Sequence, residues 1–167
     1  MRLIKLNHGY FAKVDDADFD WLNKSIWGIA KRKGVVYAQT NCKINGKWQP
    51  VLMHKIIMNT PKGMRTDHKD MDGLNNQRSN LRICTASQNL ANSNKNRGKS
   101  KYRGVTIRSR KSVVPGSSHT WTAYRVRIRV NRKEISIGFY KTEKEAAEAY
   151  NCAAIKYQGE FARLNKI

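Results

Sequence analysis

The fold of this chain is decided by one stretch, which reads Asp67-His68-Lys69-Asp70, then Leu74-Asn75-Asn76-Gln77-Arg78-Ser79-Asn80-Leu81-Arg82, then Thr85-Ala86-Ser87-Gln88-Asn89. Residues 81–84 alternate between apolar and polar types, as a short half-buried strand does. Thr85 and Gln88 have the spacing of a capping box, which predicts the start of a helix. Met71-Asp72-Gly73 predicts a tight turn in which the glycine takes a positive φ. The predicted order is strand, loop, strand and helix.

Three residue types in this stretch suit one chemistry. Asp67 and Asn89 offer hard oxygen ligands, which favour Mg²⁺ or Mn²⁺ over Zn²⁺. His68 is a base that works near neutral pH. On a strand, Asp67 and His68 point to opposite faces, so one can hold a metal while the other addresses a water. Asn80 is predicted to hydrogen-bond the backbone and hold the loop in register.

This set of residues resembles the HNH nuclease motif of phage and intron-encoded homing endonucleases. The resemblance is carried by Asp67-His68, by the run from Asn75 to Arg82 and by Asn89. It implies a ββα-metal fold in which His68 is the general base and Asp67 and Asn89 bind the metal. It also implies that Asn80 braces the catalytic loop. Many members have histidine at the last position, and Asn89 keeps an oxygen ligand there.

The resemblance further implies hydrolysis of DNA phosphodiesters with one Mg²⁺, or Mn²⁺, per active site. One metal and one histidine-activated water cleave one strand, so a double-strand break needs a dimer or sequential nicks. A mobile-element role follows by analogy alone.

His54 lies upstream in a mostly apolar run, residues 51–58. Met53-His54-Lys55 matches the family's His-Arg dipeptide, with lysine in place of arginine. Because its neighbours are apolar, we expect His54 to pack or to brace a loop as structural support near the site.

The charge of the chain points to a polyanion. The 167 residues carry a net charge of +21, which favours nucleic acid over a membrane surface. Residues 1–91 hold 15 Lys+Arg and 7 Asp+Glu, a net +8, and residues 92–167 hold 18 and 5, a net +13. There is no run of about 18 apolar residues and no signal-peptide pattern at the N-terminus, so we expect an intracellular protein. The resemblance to phage and intron-encoded enzymes implies a bacterial or phage-infected cell.

The three cysteines, Cys42, Cys84 and Cys152, are far apart and form no Cys-x-x-Cys pair. We therefore expect neither a structural zinc site nor a disulfide framework. All three are predicted to be small buried residues.

Residues 1–50 are predicted to form a scaffold of strands at residues 10–14, 27–30 and 35–40 and a helix over residues 18–26. Asn45-Gly46 is a strong signal for a further hairpin. Trp21, Trp27 and Trp48 are assigned to the core, because tryptophan is highly buried on average. The basic turn at residues 31–33 either contacts phosphates or is a solvated turn. Residues 92–101 contain no apolar residue and read as a basic linker.

The remainder of the chain reads as three strands and a helix. In the second strand, Tyr124, Val126, Ile128 and Val130 face one way and Arg125, Arg127 and Arg129 face the other. Like charges on one strand face repel, which favours a polyanion partner. Thr142 and Glu145 have capping-box spacing, and Gly159 ends the helix.

This segment resembles the ethylene-response-factor (Apetala-type) DNA-binding domain. The resemblance is carried by residues 102–105, 137–140, 145–150, 153–154 and 159–165. It implies a three-stranded antiparallel sheet that lies in the DNA major groove with the helix behind it. The DNA-binding residues implied are Arg103, Thr106, Arg108, Arg125, Arg127 and Arg129.

The sequence therefore predicts an α+β protein with two domains. Residues 1–91 form a ββα-metal nuclease domain, residues 92–100 a basic linker, and residues 101–167 a small three-stranded sheet with one helix that binds double-stranded DNA. The predicted function is metal-dependent DNA cleavage. The alternatives are a sequence-specific DNA-binding regulator with an inactive nuclease fold and, less favoured because the sheet has few exposed aromatics, an RNA-binding protein.

Overall fold

The structure is a computed structural model that describes residues 1–93, 98–111 and 120–167. The chain divides into two compact units, Met1–Asn89 and Leu90–Ile167. The described residues form a mixed α/β architecture of small antiparallel sheets and four α-helices. From its sequence, Lys111 to His119 is predicted to be a loop centred on Pro115-Gly116-Ser117-Ser118, and residues 112–119 lie outside the described ranges.

The first unit opens with a hairpin and a helix. Strands β1 (Arg2–Lys5) and β2 (Phe11–Val14) pair antiparallel, and helix α1 (Asp16–Leu22) follows. The predicted helix began later and ran on to Ile26, which is 93% exposed. The helix ends earlier because the Leu22 carbonyl accepts a hydrogen bond from Trp27 Nε1 at 2.8 Å.

A three-stranded sheet comes next. It consists of β3 (Gly28–Arg32), β4 (Val35–Ile44) and β5 (Lys47–Leu52), with β4 in the centre. The hairpin predicted at Asn45-Gly46 is confirmed, and both of its turn residues have positive φ, 48° and 78°. Positive φ at both central positions is the type I′ geometry that matches strand twist.

The core of the first unit contains only one of the three tryptophans assigned to it. Trp27 is 4% exposed, whereas Trp21 is 41% and Trp48 is 71% exposed. The prediction for Trp21 and Trp48 was wrong, because average burial says nothing about which face of a helix or hairpin a side chain occupies. The core is aliphatic apart from Trp27 and contains Ile4, Leu6, Ala12, Val14, Leu22, Ala38, Met53, Ile57 and Leu81.

The decisive stretch folds in the predicted order. Helix α2 (Met53–Ile57) precedes strand β6 (Arg65–His68), which pairs antiparallel with β7 (Leu81–Cys84), and helix α3 (Ala86–Ala91) follows. The capping box at the start of α3 is confirmed. The Thr85 backbone N–H donates to Gln88 Oε1 at 2.8 Å, and the Gln88 N–H donates to Thr85 Oγ1 at 3.2 Å.

The turn after β6 needs its glycine for a reason that the sequence did not indicate. The positive φ lies at Met71 (67°), not at Gly73. A Cβ on Gly73 would lie 2.4 Å from the Val36 carbonyl oxygen and 2.7 Å from Tyr37 Cδ1. Gly73 therefore allows close contact between this turn and β4.

The second unit is a sheet backed by one helix. Strands β8 (Val105–Lys111), β9 (Thr120–Val130) and β10 (Lys133–Tyr140) are antiparallel with β9 in the centre, and helix α4 runs from Glu143 to Gln158. The capping box at Thr142 and Glu145 and the end at Gly159 are confirmed. The core combines strand residues with small helix residues, namely Val105, Val126, Ile128, Ala146, Tyr150, Ala153 and Ala154.

The cysteine prediction holds for one residue of three. Cys84 is buried, Cys42 is half-buried and Cys152 is exposed. Cys152 lies on the solvent face of α4, since the face that packs on the sheet is formed by its alanines and Tyr150. No helix in residues 1–93, 98–111 and 120–167 is long and apolar enough to cross a membrane.

Candidate active site and nucleic-acid interface

His68 ends strand β6 and is buried, with 5% of its surface exposed. Its Nε2 lies 3.3 Å from Oδ1 of Asn76. An amide oxygen only accepts hydrogen bonds, so this contact places a proton on Nε2 and leaves Nδ1 as the basic nitrogen. The hydrogen bond thus fixes which nitrogen of the neutral ring can accept a proton.

Asn76 is itself fixed by backbone groups. It is 0% exposed, its Nδ2 donates to the Leu74 carbonyl at 3.2 Å, and its backbone N–H donates to the Lys13 carbonyl at 2.8 Å. The Lys13 N–H in turn donates to the Leu74 carbonyl at 2.8 Å. The loop thereby adds to the edge of β2, and the Asn76 amide cannot rotate freely. The sequence signal was the pair Asn75-Asn76, to which we assigned no separate role.

Burial sets the ionisation of His68. It lowers the pKa of the imidazole below the ordinary histidine value, against the opposing effect of the Asn76 hydrogen bond and of the carboxylates of Asp70, Asp67 and Asp72. The neutral ring is therefore favoured near pH 7, and a neutral ring can accept a proton.

Two further rings surround the His68 imidazole. The centroid of the His54 ring lies 4.8 Å from that of His68 at an interplanar angle of 86°, and Tyr37 lies 5.9 Å from His68 and 5.6 Å from His54. Edge-to-face packing of this kind restricts ring rotation. No local pattern in the sequence pointed to Tyr37, because it lies on β4, far from the motif in the chain.

His54 is held neutral. Burial, followed by the positive charges of neighbouring groups, lowers its pKa to about 3. Its Nδ1 is buried and has no hydrogen-bond partner within the described residues. The predicted support residue thus contacts the predicted base, and its support of activity remains a prediction.

Asn80 bonds both sides of the loop that follows His68. Its Nδ2 donates to Asp70 Oδ1 and to the Asn75 carbonyl, each at 2.9 Å, and its Oδ1 accepts from the Asp70 N–H at 3.1 Å. Burial alone would raise the pKa of Asp70, but the hydrogen bonds from Asn75, Asn80 and the Asp72 backbone outweigh it and lower that pKa. Asn80 therefore braces the loop and lies beside an ionised carboxylate.

Two aspartates of the first helix region anchor the same loop. Asp15 accepts from the Arg78 N–H at 2.8 Å and from Gln77 Nε2 at 3.2 Å. Arg78 also forms a two-point ion pair with Asp18, with Nε–Oδ2 at 2.7 Å and Nη2–Oδ1 at 2.8 Å. Asp18 is 2% exposed. Bidentate pairs with a buried carboxylate fix geometry well, so the loop is tied to α1 as well as to β2.

Asp67 lies directly opposite Arg82 in the register of β6 and β7. Nε and Nη2 of Arg82 both contact Oδ2 of Asp67, at 3.0 and 2.9 Å, and both side chains are largely buried. Removing one partner of a buried pair leaves an uncompensated charge. The sequence did not predict this ion pair, although Arg82 belongs to the quoted motif.

The predicted metal ligands, Asp67 and Asn89, fit a hard cation by donor type. Asn89 lies in helix α3, where its N–H donates to the Thr85 carbonyl at 3.0 Å. Across the described ranges, no three His, Cys, Asp or Glu side chains are grouped to hold a metal ion. A site with one carboxylate and one amide suits Mg²⁺, which keeps water and substrate phosphate as its other ligands.

Five of the six predicted DNA-binding residues lie on one face of the second sheet. Directly paired residues share a face, and Thr106 pairs with Arg125, Ser136 with Arg127 and Glu134 with Arg129. Strand alternation adds Arg108 to this face. The opposite face, with Val126 and Ile128, packs on α4. We call the outward face, formed by Thr106, Arg108, Arg125, Arg127 and Arg129, the arginine face.

The arginine face is not purely basic. The carboxylate of Glu134 on β10 contacts two of its members, at 3.2 Å from Arg127 Nη1 and 3.8 Å from Arg125 Nη2. The repulsion expected among the arginines of this face is therefore partly relieved by a carboxylate on the neighbouring strand.

Arg103 does not belong to the arginine face. Its Nη2 donates to the Leu90 carbonyl at 2.9 Å, its Nη1 donates to the Ser93 carbonyl, and its guanidinium also bonds Tyr150. Its main chain is fixed by Asn165, whose Oδ1 accepts from the Arg103 N–H at 2.8 Å. These bonds tie Arg103 to the framework of the second unit, and its contact with DNA remains a prediction.

Comparison with known proteins gives two kinds of similarity. The chain is 32% identical to an uncharacterized HNH endonuclease of Acanthamoeba polyphaga mimivirus over 107 residues, which are 64% of this chain and 50% of that protein. It is 40% identical to the AP2-like ethylene-responsive transcription factor AIL7 of Arabidopsis thaliana over 80 residues, 48% of this chain and 14% of that protein. The related factor PLT2 is 42% identical over 69 residues, 41% of this chain and 11% of that protein.

No family model and no solved structure matches the chain. The matches described above cover half the length of the viral relative and a small part of the length of each plant relative.

Proposed function

We propose that this protein is a metal-dependent DNA endonuclease of the HNH type that nicks one strand per active site. The observation that carries the proposal is the buried His68, bonded through Nε2 to Asn76 at 3.3 Å and next to Asp67 in the sequence of β6. Similarity to the viral HNH endonuclease supports it. So does the ββα order of β6, β7 and α3, although the metal-binding form of that fold remains part of the proposal.

The chain's own residues perform the following steps in this proposal. Nδ1 of His68 removes a proton from a water molecule as the water oxygen forms a bond to phosphorus. The bond from phosphorus to the leaving 3′ oxygen breaks, and that oxygen gains a proton from solvent. General-base catalysis of this kind contributes about 10²–10⁴ in rate. Asn76, His54 and Tyr37 hold the imidazole, and Asn80 holds the loop.

Asp67 and Asn89 are the residues that would hold Mg²⁺, with Mn²⁺ as a substitute. When bound, the ion supplies positive charge to the phosphate and to the leaving oxygen.

We also propose that the arginine face binds double-stranded DNA. Three of its arginines are spaced along β9 and Arg108 lies on the neighbouring β8, and arginine recognises guanine edges and phosphates in two-point contacts. Similarity to the AP2-like transcription factors supports this assignment. A regulator with an inactive nuclease fold is the second candidate, and the ion pair between Asp67 and Arg82 favours it, because this guanidinium occupies an oxygen of a predicted metal ligand.

A supercoiled-plasmid assay decides between the two candidates. We expect the wild-type protein to produce nicked circles with Mg²⁺ and none with EDTA. His68→Ala should lower the nicking rate by about 10²–10⁴, because the base is lost. Its affinity for duplex DNA should stay near that of the wild type, since affinity comes from the basic surfaces.

The matched control is His8→Asn. His8 is an exposed histidine of the same unit with φ of 56°, a backbone conformation that asparagine tolerates. It should nick like the wild type. Binding without nicking by the wild-type protein would support the regulator, and near-normal nicking by His68→Ala would remove His68 from the mechanism.

A further inference from the structure

The hairpin between β4 and β5 extends beyond the rest of its sheet. β3 pairs with β4 only between Val35 and Gln39, whereas β4 and β5 remain paired out to Ile44 and Lys47. No third strand from the described part of the chain pairs with residues 41–50, which therefore form a two-stranded ribbon that we call the β-ribbon. All of its residues are exposed except Cys42, which is half-buried. Its type I′ turn makes the tip well defined.

The β-ribbon lies in an acid-free part of the chain. Between Asp20 and Asp67 there is no aspartate or glutamate, and there are nine lysines and arginines. Lys43 and Lys47 belong to the ribbon itself, and no residue that the structure describes forms an ion pair with either. Two uncompensated cations on an exposed element favour an anionic partner.

Each face of the β-ribbon combines a lysine with a large apolar side chain. Lys43 pairs directly with Trp48 on one face, and Lys47 pairs with Ile44 on the other. Trp48 is 71% and Ile44 is 41% exposed. An exposed tryptophan beside a cation is common at binding surfaces, since its ring supplies contact area at little entropic cost.

We propose that the β-ribbon is a DNA-binding element of the first unit and inserts into the major groove of duplex DNA. That groove is about 12 Å wide and admits a two-stranded β-ribbon. Lysines on both faces can then reach phosphates of both strands, while Trp48 contacts sugars or base edges. The inference deepens the proposed function, because it gives the nuclease unit its own contact with the substrate.

The test uses the full-length protein in EDTA, so that no cleavage occurs. Binding to a fluorescein-labelled, mixed-sequence DNA duplex is measured by fluorescence anisotropy at several salt concentrations. The slope of log K against log salt is negative. In the variant Lys43→Gln/Lys47→Gln it should become shallower by about 1.8, that is, by about 0.9 for each lost phosphate contact. The matched control is Lys144→Gln/Lys156→Gln. It makes the same charge change on exposed positions of α4, and its slope should equal that of the wild type.

A second variant tests the aromatic contact. Trp48→Ala should weaken binding about tenfold, the effect of losing one well-placed interface tryptophan. Its thermal unfolding temperature should match that of the wild type, because an exposed side chain contributes little to the core. This measurement separates loss of a contact from loss of the fold.

The outcomes separate this inference from the proposed function. If the lysine variant has the slope of the wild type and Trp48→Ala binds normally, the β-ribbon is not a DNA contact, whether or not the protein nicks plasmid. If both variants bind as expected but the wild-type protein never nicks DNA with Mg²⁺, the inference stands and the endonuclease proposal fails.

Discussion

Asn76 shows how a buried amide can orient a base without changing its charge. A carboxylate in the same place would stabilise the imidazolium and raise the pKa of His68. The amide oxygen accepts the Nε2 proton instead, while its Nδ2 and its backbone N–H are committed to Leu74 and Lys13. The ring is therefore oriented, and it stays neutral in a pocket where burial already favours the neutral form.

His54 should make the stability of the first unit depend on pH. Its pKa is about 3 in the folded protein, against 6.5 for an ordinary histidine, because of burial and then of electrostatic interactions with His68, Lys55 and Arg32. The unfolded chain thus binds more protons between these values. Stability from this group is complete above about pH 6.5 and falls by about 1.4 kcal/mol per pH unit as the solution is acidified towards pH 3.

Urea unfolding at about pH 7 and about pH 5 measures this loss. His54→Gln removes the titrating ring and should reduce the loss, whereas His8→Asn, at an exposed position, should leave it unchanged. An identical pH dependence in the wild type and in His54→Gln would show that His54 does not titrate in the way its burial requires.

Single residues also show where sequence reasoning succeeded and where it failed. The bonding of Asn80 across the loop that follows His68 agrees with the bracing predicted for it, whereas the role of His68 as a general base stays a prediction. Gly73 was correctly placed in a turn but for the wrong reason, since its constraint is the approach of Tyr37. A local sequence pattern depends on the backbone conformation of neighbouring residues. It therefore cannot indicate a contact with a strand that is distant in the chain.

At the scale of elements, strand β10 controls the charge of the arginine face. Glu134 contacts Arg125 and Arg127, which are both partly exposed. Glu134→Gln should tighten duplex binding by about two- to fivefold, because it frees two arginines from a surface ion pair worth up to about 1 kcal/mol. Anisotropy titrations at fixed salt measure the change.

The control for this prediction is Glu148→Gln, which removes one negative charge from an exposed position of α4. It should change affinity much less than Glu134→Gln does. Equal effects of the two variants would mean that net charge alone, and not the local competition for Arg125 and Arg127, determines affinity.

Elements whose signals are local were predicted well. Both capping boxes, the Asn45-Gly46 turn and the alternation in β9 depend on neighbours within a few residues, and all are present. The alternation predicted for β7 is absent, because Leu81 and Cys84 are buried while Ile83 is exposed and the Arg82 side chain is largely buried. The end of α1 was placed too late, because it is set by a bond from Trp27. The exposure of Trp48 depends on how far β3 extends, and that length is a property of the whole sheet.

At the scale of the whole molecule, we expect catalysis and most DNA affinity to be separable. Residues 101–167 hold 15 Lys+Arg and 5 Asp+Glu, a net +10, and they include the arginine face. A fragment of residues 1–100 keeps every proposed catalytic residue and the whole of α3. It should nick plasmid weakly and with little sequence preference, and its salt slope should be shallower by about 0.9 for each lost phosphate contact.

Run-off mapping of the nicks and anisotropy titrations of both proteins test this separation. A fragment with full affinity and the same cut sites would show that the second unit does not select the target. Circular dichroism of the fragment is the control that it is folded.

The anchoring of the loop between β6 and β7 has a consequence for protein engineering. Its register is fixed by Lys13, Asp15 and Asp18, which lie about sixty residues earlier in the chain. The stretch that a motif search would cut out, residues 67–89, therefore lacks the parts that shape it. Grafted onto another scaffold it would carry the reactive groups without their alignment, and the smallest transplantable module is one that begins at the first hairpin.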